Sequence, residues 1–297
     1  MITRFTPILV LVAFLNALCF PLITVGLEHA PHMTFAALRA IVAGMSLALV
    51  AALLRRPIPM DLRMWMALGA MGMGATGFAY FGMFHAAEFV SPGLATILTN
   101  TQPLIAAVLA FAFLSERLRP SQYIGLGIGF LGIVTVAMPR LGIGNGPGEL
   151  FALSYLILAA SGLAVSNVLM KTVRSRIDPL VAMAAQLLLG AVPLAILALL
   201  TEQPSDIHLS ADFVIALTLL ALPGTALSYW LWFWVLDRIS LSHANAFTFL
   251  TPVLALLLGV TMFDEQIGPP LILGLLLTGI GVVIVERNSR SRIAPTT

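Results

Sequence analysis

Charge is what this sequence has least of. Only 9% of its 297 residues are Asp, Glu, Lys or Arg, while 60% are hydrophobic. A soluble domain carries about a quarter charged residues, so a soluble globular fold is excluded. The net charge of +2 is too small to gather nucleic acid. Cys19 is the single cysteine, which rules out an internal disulfide. Catalytic signatures are missing too: there is no HExxH, no GxSxG, no pair of aspartates inside an apolar run and no phosphate-binding P-loop. These absences argue against an intramembrane enzyme and against ATP-driven pumping, and no cofactor or metal is expected. The strict apolar–polar alternation of a membrane β-strand is also absent.

What the chain has instead is apolar runs of about 20 residues, enough to cross a hydrocarbon layer. Ten follow one another, near 6–28, 33–54, 63–87, 91–114, 121–139, 149–171, 179–200, 212–236, 240–263 and 269–286. Backbone polar groups in lipid need internal partners, so these runs are expected to be helices. The first could pass for a signal peptide, but it shows no small-residue cleavage site and nine more runs follow; it is read as the first span. The expected fold class is all-α, a polytopic membrane protein of ten transmembrane helices.

Basic residues settle the expected orientation. With the N-terminus inside, Arg4, Arg55, Arg56, Arg63, Arg117, Arg119, Lys171, Arg174, Arg176, Arg238, Arg287, Arg290 and Arg292 are cytoplasmic, leaving only Arg140 outside and Arg39 within a span among the 15. The outer loops are mostly acidic, from Glu28 and Glu88 to Asp264 and Glu265. Both termini are expected in the cytoplasm, and the protein in the cell inner membrane.

A fixed-offset repeat runs through the chain. Residues 99–116 read TNTQPLIAAVLAFAFLSE and residues 248–265 read TFLTPVLALLLGVTMFDE. Thr99 matches Thr248, Pro103 matches Pro252 and Glu116 matches Glu265, each pair 149 residues apart. The same offset joins Tyr80 to Tyr229, Gly125 to Gly274 and Gly132 to Gly281. Because each half holds five spans, the second enters the membrane from the opposite side, which makes two inverted repeats, residues 1–140 and 149–287, followed by a basic cytoplasmic tail, 288–297. Two such halves can exchange conformations about a site between them.

Polar and special residues inside the spans are the candidate site. Pro103 and Pro252 remove helix hydrogen bonds and expose the carbonyls of Thr99 and Thr248; Pro21 does the same in span one. These three prolines are expected to kink helices and serve gating. Asn16, Thr99, Asn100, Gln102, Gln186, Asn245 and Thr248 offer hydrogen bonds to a substrate, or act as glue between helices. Arg39 is the one cation deep in a span; it either binds substrate or pairs with Glu28 or Glu88 and snorkels. Tyr80 and its mate Tyr229, with Trp230, are expected at a cavity wall, and Trp232 and Trp234 in the interfacial belt. His85 and His243 are candidates for proton coupling, against a plain solvated or hydrogen-bonded state near the span ends. Gly125 and Gly129 form a small-residue face that packs the halves, lets helices slide, or makes a dimer.

The segments TFAALRAIVAG, PLIAAVLAFAFLSERLRPSQYIGLGIGFLGIVTV and PVLALLLGVTMFDEQIGPPLILGLLLTGIGVVIV carry a resemblance to the drug/metabolite transporter superfamily, in particular its ten-helix EamA-type members. In both copies the proline, the glutamate thirteen residues on and the following glycine match the family pattern. Span one departs from it, reading NALCFP where many members have Trp-Gly-Ser. The resemblance implies two five-helix halves around a central cavity lined by helices one to four and six to nine. It implies a secondary transporter, an exporter of amino acids, their derivatives or other small metabolites; import of the same class and a lipid-like cargo are the alternatives. The expected partners are a small-molecule substrate and the lipid bilayer, with the chain a monomer or a homodimer.

Overall fold

The computed structural model describes residues 5–86, 99–114, 119–137, 147–203, 206–263 and 268–290, and all the regular structure among them is helical. The first part of the chain forms α1 (Thr6–Leu27), α2 (His32–Leu53), α3 (Leu62–Gly72), a π-helical turn π1 (Met73–Phe78), α4 (Ala79–Ala86), α5 (Gln102–Leu114) and α6 (Pro120–Ala137). The second forms α7 (Pro147–Val173), α8 (Pro179–Thr201), α9 (Ala211–Ala221), π2 (Leu222–Leu227), α10 (Ser228–Leu236), α11 (Leu241–Thr248), α12 (Leu250–Phe263) and α13 (Pro269–Arg290). Glu88, Glu116, Arg140, Glu265 and the end of the basic tail lie outside the described residues, as does the side chain of Pro252.

Five helical stretches are long and apolar enough to cross a membrane: Thr6–Leu27, His32–Leu53, Leu153–Val173, Pro179–Thr201 and the run Ala211–Leu236 through π2. The 22 residues of α1 extend about 33 Å at 1.5 Å per residue, matching a hydrocarbon layer. Burial follows lipid rather than water. Ala36, Ala37, Ala40 and Ala43 of α2 are buried against neighbours, while Leu49, Leu53, Phe113, Leu199 and Leu200 face outward. An exterior this apolar is a liability in water, and small residues at helix contacts are how membrane helices approach closely.

Helix starts are capped by nearby side chains. Asp61 accepts from the Arg63 amide at 3.0 Å, Asp178 from Leu180 at 2.9 Å and Ser210 from Phe213 at 3.0 Å. The α2 start borrows a distant group: Glu202 accepts from the amides of Met33 (2.9 Å) and Thr34 (2.7 Å) and from the Thr34 hydroxyl (2.6 Å). Cations close the other end of α10, where the Lys171 ammonium donates to the carbonyls of Leu236 (2.6 Å) and Ile239 and Arg174 donates to Leu236 (3.1 Å).

Glycines set the tightest contacts. A Cβ on Gly125 would lie 2.9 Å from the Gly281 carbonyl, and one on Gly132 would lie 2.8 Å from that of Gly274. The order of these contacts makes α6 and α13 antiparallel, and the glycine stripe packs these two helices together. Gly72 and Gly190 bring the end of α3 and α8 into backbone contact in the same way, and Gly74 and Gly162 do so for π1 and α7.

The prolines sit differently from the expectation of mid-helix kinks. The chain turns at Asn100 and Thr101, and Pro103 falls in the first turn of α5; Phe249 interrupts the run between α11 and α12, and Pro252 falls in the first turn of α12. There a missing N–H costs nothing, because first-turn amides have no helical partner. The breaks are therefore two to three residues before each proline, and the carbonyl of Thr101 accepts the α5 amides of Leu104 (2.9 Å) and Ile105 (3.2 Å). Pro21, by contrast, is inside α1, which continues through it.

Candidate functional site: a cavity between the helices

A cavity of about 190 Å³ opens at the meeting of α1, α2, α4, α7, α8 and α10. Helical spacing decides which side chains reach it. Asn16, Cys19 and Ile23 of α1 lie at i, i+3 and i+7, and Leu163, Asn167 and Met170 of α7 share one face by the same rule. Tyr80 and Met83 of α4 and Tyr229 and Trp232 of α10 both use an i, i+3 pair. Thr99 and Asn100 at the first break, and Thr248 and Thr251 beside the second, present polar groups to it, together with Gln102.

Most of these groups are engaged with one another. The Ser228 hydroxyl donates to Asn16 Oδ1 at 2.9 Å, and Trp232 Nε1 donates to Asn167 Oδ1 at 3.0 Å. Gln102 Nε2 donates to Asn245 Oδ1 at 3.4 Å, and the hydroxyls of Tyr80 and Tyr229 meet at 3.3 Å. Gln186 is the exception: it is fully buried, lines the cavity, and neither its oxygen nor its nitrogen has a hydrogen-bond partner among the described residues. A buried amide in that state is costly unless water or a ligand meets it.

Arg39 is buried and cationic. Its Nε donates to Thr225 Oγ1 at 2.8 Å and its Nη2 to Cys19 Sγ at 3.5 Å, and its guanidinium carbon lies 4.7 Å from the centre of the Tyr80 ring. Thr225 belongs to π2, where its hydroxyl also donates to the Leu220 carbonyl at 2.8 Å. No carboxylate among the described residues pairs with Arg39. Pairing with Glu28 is thus not what holds it, and Glu88 lies outside the described residues.

Two expected lining residues are not in the wall. Trp230 packs against the main apolar core, because one residue along the helix from Tyr229 turns it to another face. Asn245 is wholly buried behind Gln102, to which it offers its oxygen. Trp232, expected in the interfacial belt, is in the wall instead. Neither histidine lines the cavity: His85 stacks on Phe81 with ring centres 4.5 Å apart and meets His32 edge-on at 5.2 Å, and His243 is buried against Phe247. Cys19, Ser228 and Trp232 also line the cavity; the i, i+3 rule from Asn16 and Tyr229 points to two of them.

An all-helical body with an apolar exterior and an internal cavity that polar side chains help to line is the form of a polytopic membrane protein that handles a small solute. The chain belongs to the EamA-like transporter family, which matches residues 6–138 and 150–287; the family is one of transporters, not enzymes. A WAT1-related chloroplastic protein of Arabidopsis thaliana is 29% identical over 261 residues, 84% of this chain and 62% of its own length, so the chain spans less than two thirds of that relative. The uncharacterized transporter YoaV of Bacillus subtilis is 28% identical over 262 residues, 87% of this chain and 88% of YoaV. A protein of Streptantibioticus cattleyicolor described as a probable terminal-alkyne amino-acid exporter is 28% identical over 292 residues, 96% of this chain and 94% of its own. One solved structure shares the fold with a TM-score of 0.80 over 96% of this chain and 99% of that chain, at 20% identity.

Proposed function

We propose that this chain is a secondary active transporter that exports a small metabolite, such as an amino acid, a derivative of one or a related compound, by alternating access around the central cavity. The observation that carries this reading is the meeting of Tyr80 and Tyr229. These residues are 149 apart and touch hydroxyl to hydroxyl in the cavity wall. Repeat-related residues can touch only near the axis that relates the two repeats, so the cavity lies where the halves would rock against each other.

Other features favour the same construction. The turns π1 and π2, and the breaks at Asn100 and Phe249, recur at the same offset. Antiparallel packing of α6 on α13 is what inversion requires of equivalent helices. On this reading residues 1–140 and 149–287 are the two inverted halves, each of five spans, and the breaks beside Pro103 and Pro252 are hinges, with Pro21 a third. The ends bearing Arg55, Arg56, Lys171 and Arg238 face the cytoplasm of an inner-membrane protein. The Streptantibioticus relative's name favours amino-acid-like cargo.

The test is solute counterflow in proteoliposomes loaded with a panel of amino acids and N-acylated amino acids. Uptake of a labelled member is expected for the wild type. Tyr80→Ala and Tyr229→Ala, each still monodisperse in detergent, are expected to lose exchange by an order of magnitude, or about 1.4 kcal/mol of binding. Undiminished exchange by both variants would place the solute path elsewhere.

A further inference from the structure

Arg39 is a charge in an unusual position. It is buried, it lines the cavity, and no carboxylate among the described residues faces it. The described groups that meet it are neutral: Thr225 from π2, Cys19 from α1, and the Tyr80 ring from α4, whose hydroxyl meets Tyr229 of α10. Among the described residues the cavity lining contains no Asp or Glu. Arginine cannot shed its proton to escape such a site, and an uncompensated buried charge is strongly unfavourable. Thr225 and Cys19 fix Nε and Nη2, and Nη1 makes no hydrogen bond among the described residues. The opposite resource is Gln186, whose amide is buried, lines the same cavity and has no partner among the described residues.

We infer that Arg39 is the anchor for a carboxylate on the transported solute, and that Gln186 receives a neutral polar group elsewhere on the same molecule. The cargo is then an anion with an uncharged, hydrogen-bonding remainder, such as an N-acylated amino acid or a hydroxy acid, and not an amine. A planar carboxylate suits the guanidinium fork, with Nη1 without a hydrogen bond among the described residues and Nη2 only weakly engaged by sulfur. The small cavity and the aromatic walls of Tyr80, Tyr229 and Trp232 leave room for a short, partly apolar body. This inference rests on the cavity being the transport site.

Cys19 supplies a test that needs no known substrate. It is the sole cysteine, it lines the cavity and it lies beside Arg39. Detergent-purified protein is treated with methanethiosulfonates that carry a carboxyethyl, sulfonatoethyl, aminoethyl or methyl group, and the rates are read by intact mass. Each rate is divided by that of the reagent with free glutathione and then by the methyl value, which removes differences in thiolate fraction. The expected order is carboxyethyl first, with the aminoethyl reagent slower by on the order of tenfold, the scale of electrostatic focusing in a cleft. Arg39→Gln is expected to abolish the preference and Arg39→Lys to keep part of it. Should Arg39→Gln fail to fold, the wild-type order alone still decides. Equal rates for carboxyethyl and aminoethyl reagents would overturn the carboxylate anchor while leaving the cavity as a transport site. Faster labelling by the sulfonate would overturn it in favour of a tetrahedral anion. No labelling by any reagent would remove the open cavity, and with it the reading on which the inference rests.

Discussion

Gln186 shows most clearly how the site trades stability for use. Its amide is buried with no protein partner among the described residues, a state that costs about 1–3 kcal/mol. Gln186→Leu keeps the volume and removes the orphaned groups. It is expected to raise the thermal midpoint in detergent, stabilising the fold by roughly 1–3 kcal/mol, while exchange in proteoliposomes falls. A lower midpoint with exchange intact would mean that the amide is structural. At this scale the sequence was partly legible. Polar residues at mid-span pointed to Asn16, Arg39, Gln102 and Gln186, because a polar side chain in an oily run needs a reason. It could not separate Trp230 from Trp232, because which face of α10 meets the cavity depends on neighbours distant in the chain. Nor could it show that Arg39 rests on Thr225, a contact across 186 residues.

At the scale of the element, glycines in helices are decided by what they face. Gly281→Ala would put a Cβ 2.5 Å from the Gly125 carbonyl and 2.6 Å from the Gly129 amide, backbone atoms that cannot swing aside. It is expected to destabilise by about 1–3 kcal/mol. Gly279→Ala, two residues away, meets nothing within 4 Å and is expected to be neutral or to gain up to about 1 kcal/mol from reduced backbone freedom. Parallel thermal unfolding of the two variants checks the pair, and equal effects would refute the packing of α6 on α13. The stripe itself was readable in sequence, but its partner was not, since a small-residue face serves an internal contact and a dimer equally well. The π turns gave no signal of their own beyond the Thr76–Thr225 match at the repeat offset. Around π1 the backbone approaches of Gly72 to Gly190 and of Gly74 to Gly162 join segments far apart in the chain, which is a tertiary matter.

For the whole molecule, the charge distribution predicts one topology. Reporters fused to the N-terminus and to the C-terminus are expected on the same, cytoplasmic side. Protease applied to intact cells should spare both, and protease applied to inverted vesicles should remove both. Cleavage of only one tag from either side would break the even number of spans and, with it, the inverted repeat. The sequence by itself determined the solvent, the helical class, the family pattern and the offset of 149, because hydropathy, charge and repetition are properties of the chain read in order. Tertiary structure alone decided where the cavity lies, that the helices break before their prolines, and that Arg39 is without a carboxylate among the described residues. Those outcomes depend on which helix faces meet, and facing is set by close packing between segments far apart in sequence.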